Sequence, residues 1–163
     1  MSIDDTVIKG KELVFSASFG DYQTKTAFQS DETSIWWSPG DAIKIYYGSA
    51  SNGDVFTSSH TVEVAKAEFT GTLSAFTGVT GTGDFNYFWA VYPQTAGISC
   101  NGSSVVASLA GVQQAKAGSF TTNTNVTIAK SPGLALSFYN TCAWFRFSVT
   151  QEGGKTGRCR GNA

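Results

Sequence analysis

The chain has 163 residues, of which 41% are hydrophobic and only 14% are charged, and its formal net charge is −1. This length suits one domain with a single core, and the near-neutral charge offers no electrostatic footprint for nucleic acid or an anionic membrane. No stretch approaches the ~20 apolar residues of a membrane helix, so we expect neither a membrane span nor a nucleic-acid partner.

Four segments alternate between apolar and polar residues with the period of two that predicts half-buried strands. In chain order they lie near residues 13–19, 42–47, 85–91 and 143–149. In the first segment the inward-facing set is Leu13, Phe15, Ala17 and Phe19. In the third segment the set on the core face is Phe85, Tyr87, Trp89 and Val91, which predicts a buried Trp89. Weaker candidates lie at 24–28, 35–37, 55–58, 61–69, 103–109, 126–129 and 135–138.

Turn residues separate these segments at short intervals, with Gly, Pro, Asn and Asp clustered between them. The only helix-like window, at 107–117, is weakened by Gly111. Roughly ten short strands without helical crossovers predict an all-β antiparallel sandwich. We expect residues 1–150 to form this single domain, and residues 151–163, which do not alternate, to be an irregular tail or a truncation.

Residue types that carry catalysis are scarce. Cys100, Cys142 and Cys159 lack the spacing of a zinc site or a disulfide framework. We expect Cys142 to be a buried thiol, with a Cys100–Cys142 disulfide as the alternative. A catalytic His60 would need a nucleophile beside it, and the sequence has no Gly-x-Ser-x-Gly motif to supply one. We therefore expect His60 on the solvent face of a strand. We therefore predict no enzyme activity, cofactor or metal.

The carboxylates fall mostly in predicted turns, where Asp side chains cap backbone amides. Asp41 and Asp54 are two such residues. A glycosidase needs two carboxylates about 5–10 Å apart on opposite sides of the substrate. A hydrolase that depends on a chance pair of carboxylates is therefore the weakest hypothesis for the function of this chain.

Two neighbouring tryptophans raise the question of sugar binding, because exposed aromatic rings form platforms for sugar rings. Trp36 and Trp37 are adjacent and must point to opposite faces of a strand. One of them can therefore be exposed when the other is buried. A glycan-binding surface module that uses an exposed Trp36 or Trp37 is the alternative function.

Several segments together carry a family resemblance, and they cover about residues 25–150. They are KTAF (25–28), IWWSPGDAIKI (35–45), AEFTG (67–71), YFWAVYP (87–93), VQQ (112–114), GSF (118–120), LSFYN (136–140) and AWFRFSV (143–149). In this order they resemble the amino-terminal domain of Bacteroidales fimbrillin-like proteins, the type V pilins and their relatives.

The resemblance implies a transthyretin-like Greek-key β-sandwich, export as a lipoprotein to the outer membrane, and a role in fimbriae or cell adhesion. Other fimbrial subunits or host surface ligands would be the partners. In polymerising members a protease removes an amino-terminal strand, commonly after Arg, and a neighbour's strand fills the groove. Here the first Arg is Arg146, and we expect this chain to depart from the family in lacking a lipobox Cys near its start and the carboxy-terminal domain. We expect an export signal to have been removed.

The segment 11–19 is the strand that we expect assembly to exchange. It is the first strong strand, and its inward set of Leu13, Phe15, Ala17 and Phe19 needs a matching apolar groove. Cleavage at Lys9 or Lys11 would leave this strand attached, so groove opening would require cleavage at Lys25. The preferred function is a non-enzymatic fimbrillin-like surface protein that assembles by β-strand donation.

Overall fold

The computed structural model describes residues 12–20, 36–47, 52–74, 87–109, 111–112, 114–116, 119–120 and 124–141. This part of the chain contains a short 3-10 helix at Gln94–Ala96 and the strands β1 (Glu12–Phe19), β2 (Ala42–Tyr47), β3 (Asp54–Ser58), β4 (Lys66–Thr72), β5 (Phe88–Tyr92), β6 (Gly97–Cys100), β7 (Val105–Ala107), β8 (Ala115–Lys116), β9 (Ser119–Phe120), β10 (Thr127–Ser131) and β11 (Ala135–Asn140). The predicted all-β class is therefore confirmed for the described residues. The segments 24–28 and 143–149 and the tail 151–163 lie outside them.

Seven of the described strands close into a barrel in the order β1-β11-β10-β5-β2-β3-β4, with β4 returning to β1. Neighbouring strands are antiparallel except β1 and β11, which run parallel. The sequence predicted a sandwich of two antiparallel sheets, whereas these strands hydrogen-bond in one ring with one parallel pair. The ring closes because β1 pairs along both of its edges.

The barrel interior is filled by large side chains, as expected for a ring of few strands. Inward-facing residues that are almost completely buried include Phe15, Ile43, Ile45, Phe56, Phe69, Phe88, Leu136 and Phe138. Trp37 joins them from the segment before β2, where its backbone forms an isolated antiparallel bridge with Val64. Gly71 faces this core, because a Cβ there would lie 2.8 Å from a ring carbon of Phe56. The core is therefore closely packed and strongly aromatic.

A second apolar cluster lies on the outer face of β2, β5 and β10, beneath the 3-10 helix and the hairpin of β6 and β7. Its buried members are Tyr46, Val91, Ala96, Cys100 and Val126. Trp89 packs against this cluster, only partly buried, and its indole N–H donates a hydrogen bond to the Gly102 carbonyl at 3.1 Å. Both faces of β5 are thus covered.

The prediction for Trp89 needs correction. Trp89 and Val91 do share a face of β5, but this face points out of the barrel, and Phe88, Ala90 and Tyr92 point into it. The alternation correctly paired Trp89 with Val91. It could not say which face meets the main core, because apolar residues occupy both faces. Phe85 lies outside the described residues.

Candidate strand-exchange site

β1 is the first of the seven described barrel strands along the chain, and its removal, like that of any of the seven, would open the barrel. One edge pairs antiparallel with β4 through seven residue pairs, from Glu12 with Thr72 to Ser18 with Lys66. The other edge pairs parallel with β11 through four residue pairs. Beside that edge the amide of Gly20 donates to the Phe138 carbonyl at 3.1 Å. Without β1, both β4 and β11 would have unpaired backbone N–H and C=O groups. Strand edges of this kind can pair with a strand from another chain.

The inward face of β1 has the predicted orientation. Phe15 and Ala17 are fully buried, and Leu13 and Phe19 are partly buried and pack against the same core cluster. Val14, between them, is 45% exposed. The groove that β1 occupies therefore receives every second side chain of the strand, as the period of two requires.

Aromatic rings form the walls of this groove at Phe15. The Phe15 ring makes edge contacts with Phe56 and Phe88, with ring centroids 5.1 and 5.0 Å apart. Such edge-to-face pairs contribute about 0.5–1.5 kcal/mol beyond the burial of area. Phe15 is thus held by rings that belong to β3 and β5.

Trp37 contacts β1 farther along, with both its ring and its indole N–H. The ring stacks on Phe19 with centroids 4.4 Å apart, and the N–H donates to the Ala17 carbonyl at 3.1 Å. Edge contacts at 5.0–5.3 Å surround the same indole, from Phe69, Tyr92 and Phe138. This buried tryptophan therefore joins β1 to rings on β4, β5 and β11.

Trp36 lies on the opposite side of the same short segment. It is 37% exposed, whereas Trp37 is 0% exposed. This is the alternation that adjacent residues in extended backbone must show. A sugar platform that used both rings is therefore not present, and the alternative function would depend on Trp36.

The turn before β2 places a partly buried carboxylate, that of Asp41, next to Tyr92, whose ring contacts Trp37. Pro39 and Gly40, with φ of 78° at Gly40, form the turn, and the Asp41 amide donates to the Ser38 carbonyl at 3.1 Å. A type II turn needs this left-handed φ at its third residue, which glycine adopts without strain. The Asp41 carboxylate accepts hydrogen bonds from the Ser38 amide at 2.7 Å and from the Tyr92 hydroxyl at 2.9 Å.

Burial dominates the ionisation of this pair. It raises the pKa of Asp41, while hydrogen bonds from Ser38 and Tyr92 and the charge of His60 act in the lowering direction, and Glu63 raises it slightly. Burial, followed by the charge of Asp41, raises the pKa of Tyr92 far above its ordinary value. Tyr92 therefore stays protonated and acts as a donor, and Asp41 has the structural capping role predicted for the turn carboxylates. Asp54 has a similar role, accepting from the Ser74 amide at 2.8 Å.

The raised pKa of Asp41 gives a testable pH dependence. Between the ordinary value of 3.8 and the higher pKa of the folded state, the folded chain binds more protons than the unfolded chain. Stability from this group is therefore present below that window and lost as pH rises through it. We expect Asp41→Asn to remove this loss. Urea unfolding of both proteins from pH 3 to 7 checks it, and an unchanged difference between them across this range would contradict it.

The other candidate residues are placed as follows. His60 is not on a strand face, because β3 ends at Ser58, and both of its ring nitrogens are buried without a hydrogen-bond partner among the described residues. Cys100 is a buried thiol whose pKa is raised by burial. Lys25, Cys142 and Cys159 lie outside the described residues, as does any Cys100–Cys142 bond. Within the described ranges, no group of three or more His, Cys, Asp or Glu could hold a metal ion.

Comparison with known proteins adds no relative. No protein-family model, curated protein or solved structure matches this chain. In the part of the chain that the structure describes, no helix has the length and apolar character to cross a membrane.

Proposed function

We propose that this chain is a non-enzymatic, fimbrillin-like cell-surface protein, a fimbrial subunit or adhesion component that assembles by β-strand donation. The observation that carries the proposal is the position of β1. It pairs with β4 on one edge and β11 on the other, and its inward side chains enter the barrel core. Exchange of this one strand would leave every other strand pair of the barrel in place.

Side-chain burial and backbone hydrogen bonds are expected to hold a strand tightly at the β1 position. Each large apolar side chain buried in the groove contributes about 1.5–3 kcal/mol, and each backbone hydrogen bond a net ~1 kcal/mol. Phe15 is fully buried, and Leu13 and Phe19 are partly so. A strand from a neighbouring chain with the same pattern would gain these contributions and would dissociate slowly.

Strand order supports the Greek-key part of the proposed fold. Along the barrel β5, β2, β3 and β4 are neighbours, so three consecutive barrel strands are followed by a fourth that returns beside the first. This is the 4-1-2-3 order of a Greek key. The transthyretin-like sandwich itself comes only with the family resemblance. The cell surface and outer membrane as location, a lipoprotein precursor, and fimbrial or host partners come with the family resemblance.

Limited digestion with a Lys-specific protease tests whether β1 can be separated from the barrel. We expect cleavage at Lys25 to leave β1 bound but no longer covalently attached, because the strand ends at Phe19, ahead of this bond. The cut protein should keep its folded elution volume, and without a competing strand it should release the segment only in denaturant. Mass spectrometry of the fragments under native and denaturing conditions provides the measurement.

Cleavage at Lys9 or Lys11 serves as the internal control, since both bonds precede β1 and their cleavage leaves the strand attached. Trimming at these sites without cleavage at Lys25 would identify a closed domain. The polymerising function would then be rejected.

The second candidate function is glycan binding, favoured by the partial exposure of Trp36 beside the buried Trp37. If it is correct, glycans should change the tryptophan fluorescence of the native protein, and Trp36→Ala should abolish this change. A matched variant, Val62→Ala, removes another exposed apolar side chain and should leave the change intact. A response that survives Trp36→Ala would reject this site.

A further inference from the structure

We infer that Trp37 selects the strand that occupies the β1 position by requiring a small residue at position 17. The inference rests on the proposed strand donation and adds the chemistry of the partner. The incoming strand should carry a large apolar or aromatic residue at positions 15 and 19 and a residue no larger than alanine between them.

The small residue is required by the close approach of Trp37 to the β1 backbone. Ala17 is 0% exposed, and its carbonyl oxygen accepts the Trp37 indole N–H at 3.1 Å. The partner of Ala17 on β4 is Ala67, which is 2% exposed. Two facing alanines leave room on the inward side for the indole to reach the strand. A larger side chain at position 17 would compete with the indole for this space.

Trp37 cannot easily move away to admit a larger residue. Its amide donates to the Val64 carbonyl at 2.7 Å, and the Val64 amide donates back at 3.1 Å. The rings of Phe69 and Tyr92 meet its indole edge-on, and Tyr92 is itself fixed by its hydrogen bond to Asp41. The indole is therefore held from its backbone and from its ring.

The neighbouring positions have the opposite requirement. Position 15 faces the rings of Phe56 and Phe88, and position 19 faces the flat side of the Trp37 ring at 4.4 Å. A small residue at either position would leave a cavity, because closely packed cores relax only partly around a lost side chain. The groove thus recognises the pattern large, small, large on alternate residues.

A double-mutant cycle in the whole chain tests the contact between Trp37 and position 17. Ala17→Val should lower the folding equilibrium constant by about tenfold or more, as overpacking in a tight core does. The matched control, Ser18→Val, adds a branched side chain on the other face of β1 and should have a smaller effect. In the Trp37→Phe background, the factor by which Ala17→Val lowers the folding equilibrium constant should be at least threefold smaller. The factor for Ser18→Val should not change.

Two outcomes of this cycle overturn the inference: equal penalties for Ala17→Val and Ser18→Val, or strict additivity of Ala17→Val with Trp37→Phe. If Trp37→Phe does not fold, a size series decides instead. Stability should then fall steadily from Ala17→Ser through Ala17→Val to Ala17→Leu, and a flat series would overturn the inference.

Peptide competition connects this selectivity to strand donation. The chain cut at Lys25 is mixed with a labelled peptide of residues 11–20 or with its Ala17→Val or Ser18→Val form. We expect the native and Ser18→Val peptides to displace the bound segment, and the Ala17→Val peptide to do so at least tenfold less well. Equal displacement by all three peptides would overturn the inference. Coupling in the cycle without displacement by any peptide would support selection by Trp37 within the chain and would reject strand donation.

Discussion

Phe15→Ala is expected to lower the free energy of unfolding by about 3–5 kcal/mol, as large-to-small changes at fully buried aromatic residues do. Phe15 is 0% exposed and meets the rings of Phe56 and Phe88 edge-on. The loss would be a large fraction of the ~5–15 kcal/mol that stabilises a typical domain. Urea denaturation followed by near-ultraviolet circular dichroism measures it.

Val14→Ala is the matched control for this prediction, because Val14 is the next residue of the same strand and is 45% exposed. We expect a loss of about 1 kcal/mol or less, from β-propensity and modest burial. A larger loss for Val14→Ala than for Phe15→Ala would mean that β1 has the opposite face inward. A shift of one residue in strand register produces such a reversal.

Trp37→Ala is expected to cost about 3–5 kcal/mol as a core truncation, together with the hydrogen bond to the Ala17 carbonyl. The indole is 0% exposed and contacts four other rings among the described residues. Its loss should weaken the β1 position itself, since Phe19 stacks on this ring. We therefore also expect faster hydrogen exchange at the amides of β1.

Trp36→Ala is the paired control, with the same change at the adjacent residue. Trp36 is 37% exposed, so we expect a smaller loss than at Trp37 and no change in exchange along β1. Equal losses at the two positions, or unchanged exchange in Trp37→Ala, would contradict the central place given to Trp37 in the groove.

The sequence predicted the face of β1 but not its neighbours. The alternation of Leu13, Phe15, Ala17 and Phe19 has the period of a strand with one buried face, and this period fixes which side chains share a side. It contains no information on pairing. The parallel contact with β11 joins residues more than a hundred positions apart, so no local pattern could indicate it. The closure of the barrel therefore followed only from the structure.

The aromatic residues show the same limit. Trp89 belongs to a strand that is apolar on both faces, so the pattern could not distinguish the barrel interior from the outer cluster. Pro39 and Gly40 did signal the turn that presents Asp41, because this turn type depends on those two residues. Nothing in the local sequence predicted the contact of the Trp37 indole with the Ala17 carbonyl. The only related feature was a pair of small residues that lie in separate strands.

Strand exchange in the cut protein is the measurement that tests the account most directly. The chain is cleaved at Lys25 and incubated with an excess of an isotopically heavy peptide of residues 11–20, and the complexes are weighed by native mass spectrometry. The account predicts a folded chain that loses its own β1 segment and carries one heavy peptide in its place. A cut chain that keeps its own segment indefinitely, or that unfolds without binding the peptide, would contradict assembly by β-strand donation.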